Sequence, residues 1–159
     1  MELIKFNAKH SGVEITSDMQ AAAKRAGVSL MKIDIIALTH YHGDHTFGLP
    51  GLLQSMAMAG REEPVYILGP KGLDAAMKPF LMLCSRLPFE LKLLEVGREE
   101  VALGSLVPGW PDSAVLTPFA TRHRVPALGY RFDLRRAGLF IPERAKELGI
   151  PIDQWKLLQ

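Results

Sequence analysis

The stretch THYHGDH, Thr39–His45, gathers three histidines and one aspartate into seven positions of a chain that holds only five histidines. On extended backbone His40 and His42 point to the same side, so their two imidazoles can grip one ion. Gly43 lets the chain turn tightly, which can swing Asp44 and His45 toward a second position nearby. Imidazole and carboxylate suit zinc, with ligand atoms at roughly 2.0–2.2 Å, and would also accept manganese or iron. A lone histidine in such a place is more often surface or core filler than a ligand. Three of them with an interposed aspartate would be costly to bury uncompensated, which favours a metal site.

The elements around this stretch place it where ligands are commonly held. KIDIIALTH is a short, nearly continuous apolar run rich in isoleucine, the pattern of a strand covered on both faces. The cluster follows at the carboxyl end of that strand, where open α/β sheets bind ligands. FGLPGLLQSMAMAG reads as a helix ending near Gly60, PVYILGP as a second buried strand, and KGLDAAMKPFLMLCSR as a helix bent at Pro79. PFELKLLEV alternates as a half-buried strand, and Val101 to Leu134 reads as several short strands divided by VPGWPD and RVPALG. MELIKFNA has weak strand character, Ser17 is an N-cap for a helix stopped by Gly27, and IPERAKELGIP closes as a short helix. A β–α–β–α beginning followed by hairpin-like strands indicates one α/β layered domain.

Composition sets the bounds. With 159 residues, 48% apolar and 23% charged, the chain has globular, not disordered, composition and can bury a core. No stretch has the form of a signal peptide or a membrane span. The single Cys84 reads as a buried thiol of a reducing, cytoplasmic setting. From Arg122 onward eight basic residues face four acidic ones, a local charge of +4 that leaves −2 for the first 121 residues. Such a basic segment either faces phosphates or forms a solvated helix face.

THYHGDH matches the His-x-His-x-Asp-His signature of the metallo-β-lactamase fold, and the longer stretches HGDHTFGLPGLL, LGPKGL, LPFELKLLE and HRVPALGYRF resemble the ribonuclease Z family. The likeness runs from about Ala21 to the last residue. It implies an α/β fold, the four-layer αββα sandwich, carried here to about one half. It also implies zinc-dependent endonucleolytic removal of the 3′ trailer from precursor transfer RNA. Carried over by position, His40, His42 and His123 would hold a first zinc, Asp44 and His45 a second, and Asp44 could orient or deprotonate the attacking water. His10 matches nothing and reads as a surface residue.

The departures from the family are equally specific. HSGVEITSDMQ stands where the family has an Asp-Cys-Gly-Glu-Gly-Thr segment. The family's metal-bridging aspartate and final histidine follow well after the third ligand. Only 36 residues follow His123 here, none a histidine, and Asp133 and Asp153 lie in no matching motif. Residues 135–159 resemble the start of the family's RNA-gripping arm, with Arg135, Arg136, Arg144 and Lys146 as candidate RNA contacts and loose packing expected. The alternatives are a catalytically inactive or partner-completed metal-binding chain, or a small-molecule metallo-hydrolase of the same fold. With only one sheet expected from this chain, its apolar strands would show part of their surface to water, so a homodimer or a complementary chain is also expected.

Overall fold

The computed structural model describes residues 2–3, 13–14, 27–84, 86–135 and 140–157. Two sheets pack face to face. The first is mixed, in the order β2-β1-β3-β4-β5, from β1 (Glu2–Leu3), β2 (Val13–Glu14), β3 (Ile35–Ala37), β4 (Val65–Gly69) and β5 (Leu91–Glu95). β3, β4 and β5 run parallel, and β1 runs antiparallel to both β2 and β3. The second sheet is antiparallel, in the order β6-β7-β8, from β6 (Val101–Ala102), β7 (Ala114–Ala120) and β8 (Leu128–Leu134). The helix expected after Ser17 and the position of His10 lie outside the described residues.

Period-two alternation explains why β3 and β4 are apolar throughout. Ile36, Leu38, Val65 and Ile67 point into a cluster with the helical layer, while Ile35, Ala37, Tyr66 and Leu68 point into a second cluster with Leu103, Ala114, Leu116 and Leu128. The helical layer contains α1 (Gly43–Thr46), α2 (Leu49–Met58) and α3 (Leu73–Leu83). In α2 the buried residues are Leu49, Leu52, Leu53 and Met56, one face at helical spacing. Each such side chain withdrawn from water contributes roughly 1.5–3 kcal/mol. α3 buries Leu73 and Met77 and runs through Pro79, so the Ala75 carbonyl receives no amide from that position. Cys84 is half-buried at its end, and burial pushes its thiol pKa up.

Two sequence expectations change here. This chain supplies both sheets, so β3 and β4 are fully buried and do not await an outside cover. The segment after Val101 is not a run of short strands. After the two-residue β6 and the turn α4 (Leu103–Leu106) come two seven-residue strands forming a long hairpin. Residues 140–157 are mostly exposed, in keeping with the loose packing expected of the tail. In α5 (Pro142–Glu147) Ala145 is buried, and in the following 3-10 segment, Ile152–Leu157, the Trp155 indole donates to the Ile150 carbonyl at 3.0 Å and meets Phe140 at 5.2 Å.

At the amino ends of β3 and β4 a buried guanidinium ties the layers together. Gly60, at φ +84, ends α2 in the left-handed conformation and returns the chain inward at Arg61, only 1% exposed. Arg61 donates to the carbonyls of Met31, Glu63 and Pro64 and, at 2.9 Å, to Asp34 Oδ1. The other Asp34 oxygen accepts from the Trp110 indole at 3.0 Å, and Trp110 packs in the cluster between the sheets. Removing one partner of a buried, fully bonded charge is expensive because the rest is left unpaired. Arg61→Met is therefore expected to cost about 3–5 kcal/mol, and Trp110→Phe about 1 kcal/mol, measured as urea midpoints at constant m. Equal midpoints for wild type and Arg61→Met would refute the clamp.

Candidate metal centre

Thr39–His42 leaves the carboxyl end of β3 in extended form, and His42, at φ −66 and ψ 149, is the N-cap of α1. The His42 carbonyl accepts from the buried Thr46 hydroxyl at 2.9 Å and from the His45 amide at 3.0 Å, which holds the α1 turn. Gly43 does not serve as expected. It lies outside the left-handed region and inside α1, where a Cβ would meet the Phe47 ring at 2.3 Å. The turn is helical, and the glycine clears space for Phe47.

The third histidine arrives from the second sheet. The Leu128 amide donates to the Thr39 carbonyl at 2.9 Å, and the Tyr130 hydroxyl donates to the Leu38 carbonyl at 2.8 Å. These bonds hold the β7–β8 hairpin against the end of β3, and the loop between the two strands carries His123. His40 is buried, with Nδ1 at 3.0 Å from the Thr39 hydroxyl and Nε2 turned to His42 Nδ1 at 3.1 Å. His123 Nε2 lies 3.2 Å from the same His42 nitrogen although 81 positions separate the two residues. One ring nitrogen from each of His40, His42 and His123 falls within 4.8 Å of the others.

Those spacings fit a metal. Ligand nitrogens about 2.0–2.1 Å from a tetrahedral zinc stand roughly 3.3 Å apart. An imidazole nitrogen that carries no proton offers the lone pair a metal needs, and each of the three rings has a nitrogen at this point. Burial, followed by the neighbouring His45, His123 and His42, lowers the His40 pKa, which keeps this imidazole in the neutral form a ligand needs.

Asp44 and His45 sit beside this trio but outside it. The His45 ring is 4.2 Å from that of His40, and its Nε2 is 3.4 Å from the largely exposed Asp44 carboxylate. The candidate RNA contacts lie elsewhere. Arg135 is bound by both Glu100 oxygens at 2.8 Å, Arg144 and Lys146 are exposed on α5, and Arg136 lies outside the described residues. Sequence reasoning missed Thr39 and Tyr130, which position the histidines. Tyr130 stands within the quoted HRVPALGYRF, so its residue type was visible but its hydrogen bond was not.

Residues 11–117 match the model of the metallo-beta-lactamase superfamily. Ribonuclease Z of Lachnoclostridium phytofermentans is 37% identical over 157 residues, 99% of this chain and 50% of that protein. Ribonuclease Z of Agathobacter rectalis is 36% identical over 156 residues, again covering 50% of that protein. The chain thus spans about half the length of the curated relatives it matches. Among solved structures, the short form of human tRNase Z (ELAC1) superposes with a TM-score of 0.59 at 24% identity, covering 78% of this chain and 52% of that one. The metallo-beta-lactamase fold protein YhfI of Bacillus subtilis gives 0.53 at 21% identity, covering 76% and 45%. At these identities both structures speak to the fold alone.

Ligand count leads to two expectations. After dialysis against trace chelator, elemental analysis should find about one zinc per chain, and His123→Ala should lower its affinity on the order of 100-fold. Two ions held equally firmly would show that another strong ligand exists. Protons should also act on the metal-free protein. Because burial holds the folded His40 pKa below the ordinary histidine value of about 6.5, the unfolded chain binds the proton first as pH falls. Stability should therefore be full above pH 6.5 and decline below it, with a shallower decline in His40→Asn. Identical pH profiles for the two proteins would rule this linkage out.

Proposed function

The chain belongs to the metallo-beta-lactamase superfamily, and from that premise we propose that it is a metal-dependent phosphodiesterase of the ribonuclease Z kind, cutting the 3′ trailer from precursor transfer RNA. The observation that carries this reading is the convergence of His40, His42 and His123 at metal-ligand spacing. The length of the likeness to proteins named ribonuclease Z supports the substrate class.

His40, His42 and His123 would hold a first zinc, with manganese or iron as substitutes, and Asp44 and His45 would contribute to a second ion. A bound ion supplies a water of lowered pKa and stabilises charge on a phosphate oxygen. The residues do the positioning. Thr39 orients the His40 ring through Nδ1, and the exposed Asp44 carboxylate, beside His45, would accept a proton from water at the cluster. In the same reading residues 135–159 are the base of an RNA-binding arm, with Arg144 and Lys146 presented to solvent. Arg135 would have to exchange Glu100 for phosphate. Among the described residues no helix is long and apolar enough to cross a membrane. The thiol Cys84 accords with a reducing cytoplasm. Phe47, Met82 and Leu83, exposed on or beside the helical layer, are surface that a second copy or a complementary chain would cover.

The test is cleavage of a labelled precursor transfer RNA by the zinc-loaded chain. A single cut freeing the trailer is expected, slower than that of a full-length relative, abolished by chelator, and reduced at least about 100-fold in Asp44→Ala. A zinc-loaded, folded chain that leaves the RNA intact would sink the nuclease reading and favour the inactive, metal-binding alternative.

A further inference from the structure

A cleft of about 170 Å³ opens beside the histidine cluster, lined by Tyr41, His42, Lys71, Val125 and Pro126. His42 joins it to the cluster, Val125 and Pro126 supply an apolar wall from the loop that carries His123, and Lys71 brings the positive charge. Lys71 is exposed and, among the described residues, has no hydrogen bond or ion pair. Lys78, on α3, is engaged with Asp74 at 3.5 Å.

The loop beneath Lys71 is held from both sides. On one side the Tyr41 hydroxyl donates to the Pro70 carbonyl. On the other, Glu95 Oε1 accepts from the amides of Gly72 at 2.7 Å and Leu73 at 3.0 Å. Gly72 takes φ +94, a left-handed turn that an L side chain would strain, and a Cβ on Gly69 would lie 2.8 Å from the Tyr41 hydroxyl oxygen. Since Glu95 already occupies these first amides of α3, the backbone has little to offer an incoming anion. The positively charged donor in the cleft is the Lys71 ammonium.

Resting on the phosphodiesterase reading, we propose that Lys71 is a substrate-positioning residue. It binds a non-bridging oxygen of the phosphate next to the one that is cut, while the Val125–Pro126 wall takes the apolar face of the intervening nucleotide. A flexible ammonium suits this task, being a point charge that follows a phosphate without demanding bidentate geometry. Two neighbouring phosphates read together, one at the histidines and one at Lys71, would set the register of the strand.

The test is binding of a short single-stranded phosphorothioate oligoribonucleotide to the zinc-loaded chain, compared among wild type, Lys71→Met and Lys71→Arg over a range of salt. Lys71→Met is expected to weaken binding roughly twofold to fivefold and to flatten the slope of log K against log salt by about 0.7, the share of one phosphate contact on a single strand. Lys71→Arg should restore most of both. Zinc content and urea midpoint, measured on the same samples, exclude a folding defect. Equal affinity and slope for wild type and Lys71→Met, or absence of binding by either, would overturn the assignment. Binding that depends on Lys71 without any cleavage of precursor transfer RNA would support the anion site and overturn the nuclease reading, so the two failures are distinct.

Discussion

The hydrogen bonds from the second sheet to the last carbonyls of β3 are the constraint on which the site depends. The Leu128 amide on Thr39 and the Tyr130 hydroxyl on Leu38 cap backbone that has just left the β3 ladder. Buried carbonyls at that point need partners. Satisfying them from β8 registers one sheet against the other, and the β7–β8 loop then delivers His123 to His42. Without that register the two halves of the cluster would belong to different layers and have no reason to meet.

The opposite edge of the stack is held by a different kind of interaction. Arg61 is too deeply buried to be tolerated without a full set of acceptors. It finds three carbonyls and Asp34, which in turn takes the Trp110 indole from the connection leading into β7. Between the two edges lies the apolar cluster of Ile35, Ala37, Tyr66, Leu68, Leu103, Leu116 and Leu128. The apolar contact is non-directional and supplies most of the stabilisation. The polar edges supply direction, since a slipped sheet would leave Arg61 or the β3 carbonyls unsatisfied. Specificity of packing thus rests on few groups, while stability is spread over many.

This division explains what was legible in the sequence. The apolar runs at 35–38 and 65–68 declared doubly covered strands because every residue there is buried, alternately toward helices and toward the second sheet. The spacing in THYHGDH declared two imidazoles on one side of an extended segment, a local property. His123 could be joined to them only by resemblance, since neither composition nor period reaches across 81 positions. Arg61 was invisible for a similar reason. An arginine after a helix-ending glycine reads as surface, and only the return of the chain at Gly60 puts it inside. The cover of β3 and β4 was misjudged because the hairpin strands carry polar residues such as Thr117, Arg131 and Asp133 among their apolar ones. That mixture weakened the signal of a complete second sheet.

A cluster drawn from two layers also couples ligand binding to folding. His40 and His42 follow β3, while His123 rides on the hairpin, so an ion held by all three binds only when the sheets are docked. By linkage, a ligand that prefers the docked state stabilises it by RT ln(1 + [L]/Kd), about 4 kcal/mol at a free concentration a thousandfold above Kd. That is comparable to the cost of removing the Arg61 clamp at the far edge. An ion at the histidines and the clamp would therefore act at opposite ends of one interface, and weakening either would make docking more dependent on the other. His40 is kept neutral by the burial that the docked sheets create, which lowers its pKa. Stacking prepares the imidazoles for the ion, and the ion in turn holds the stack.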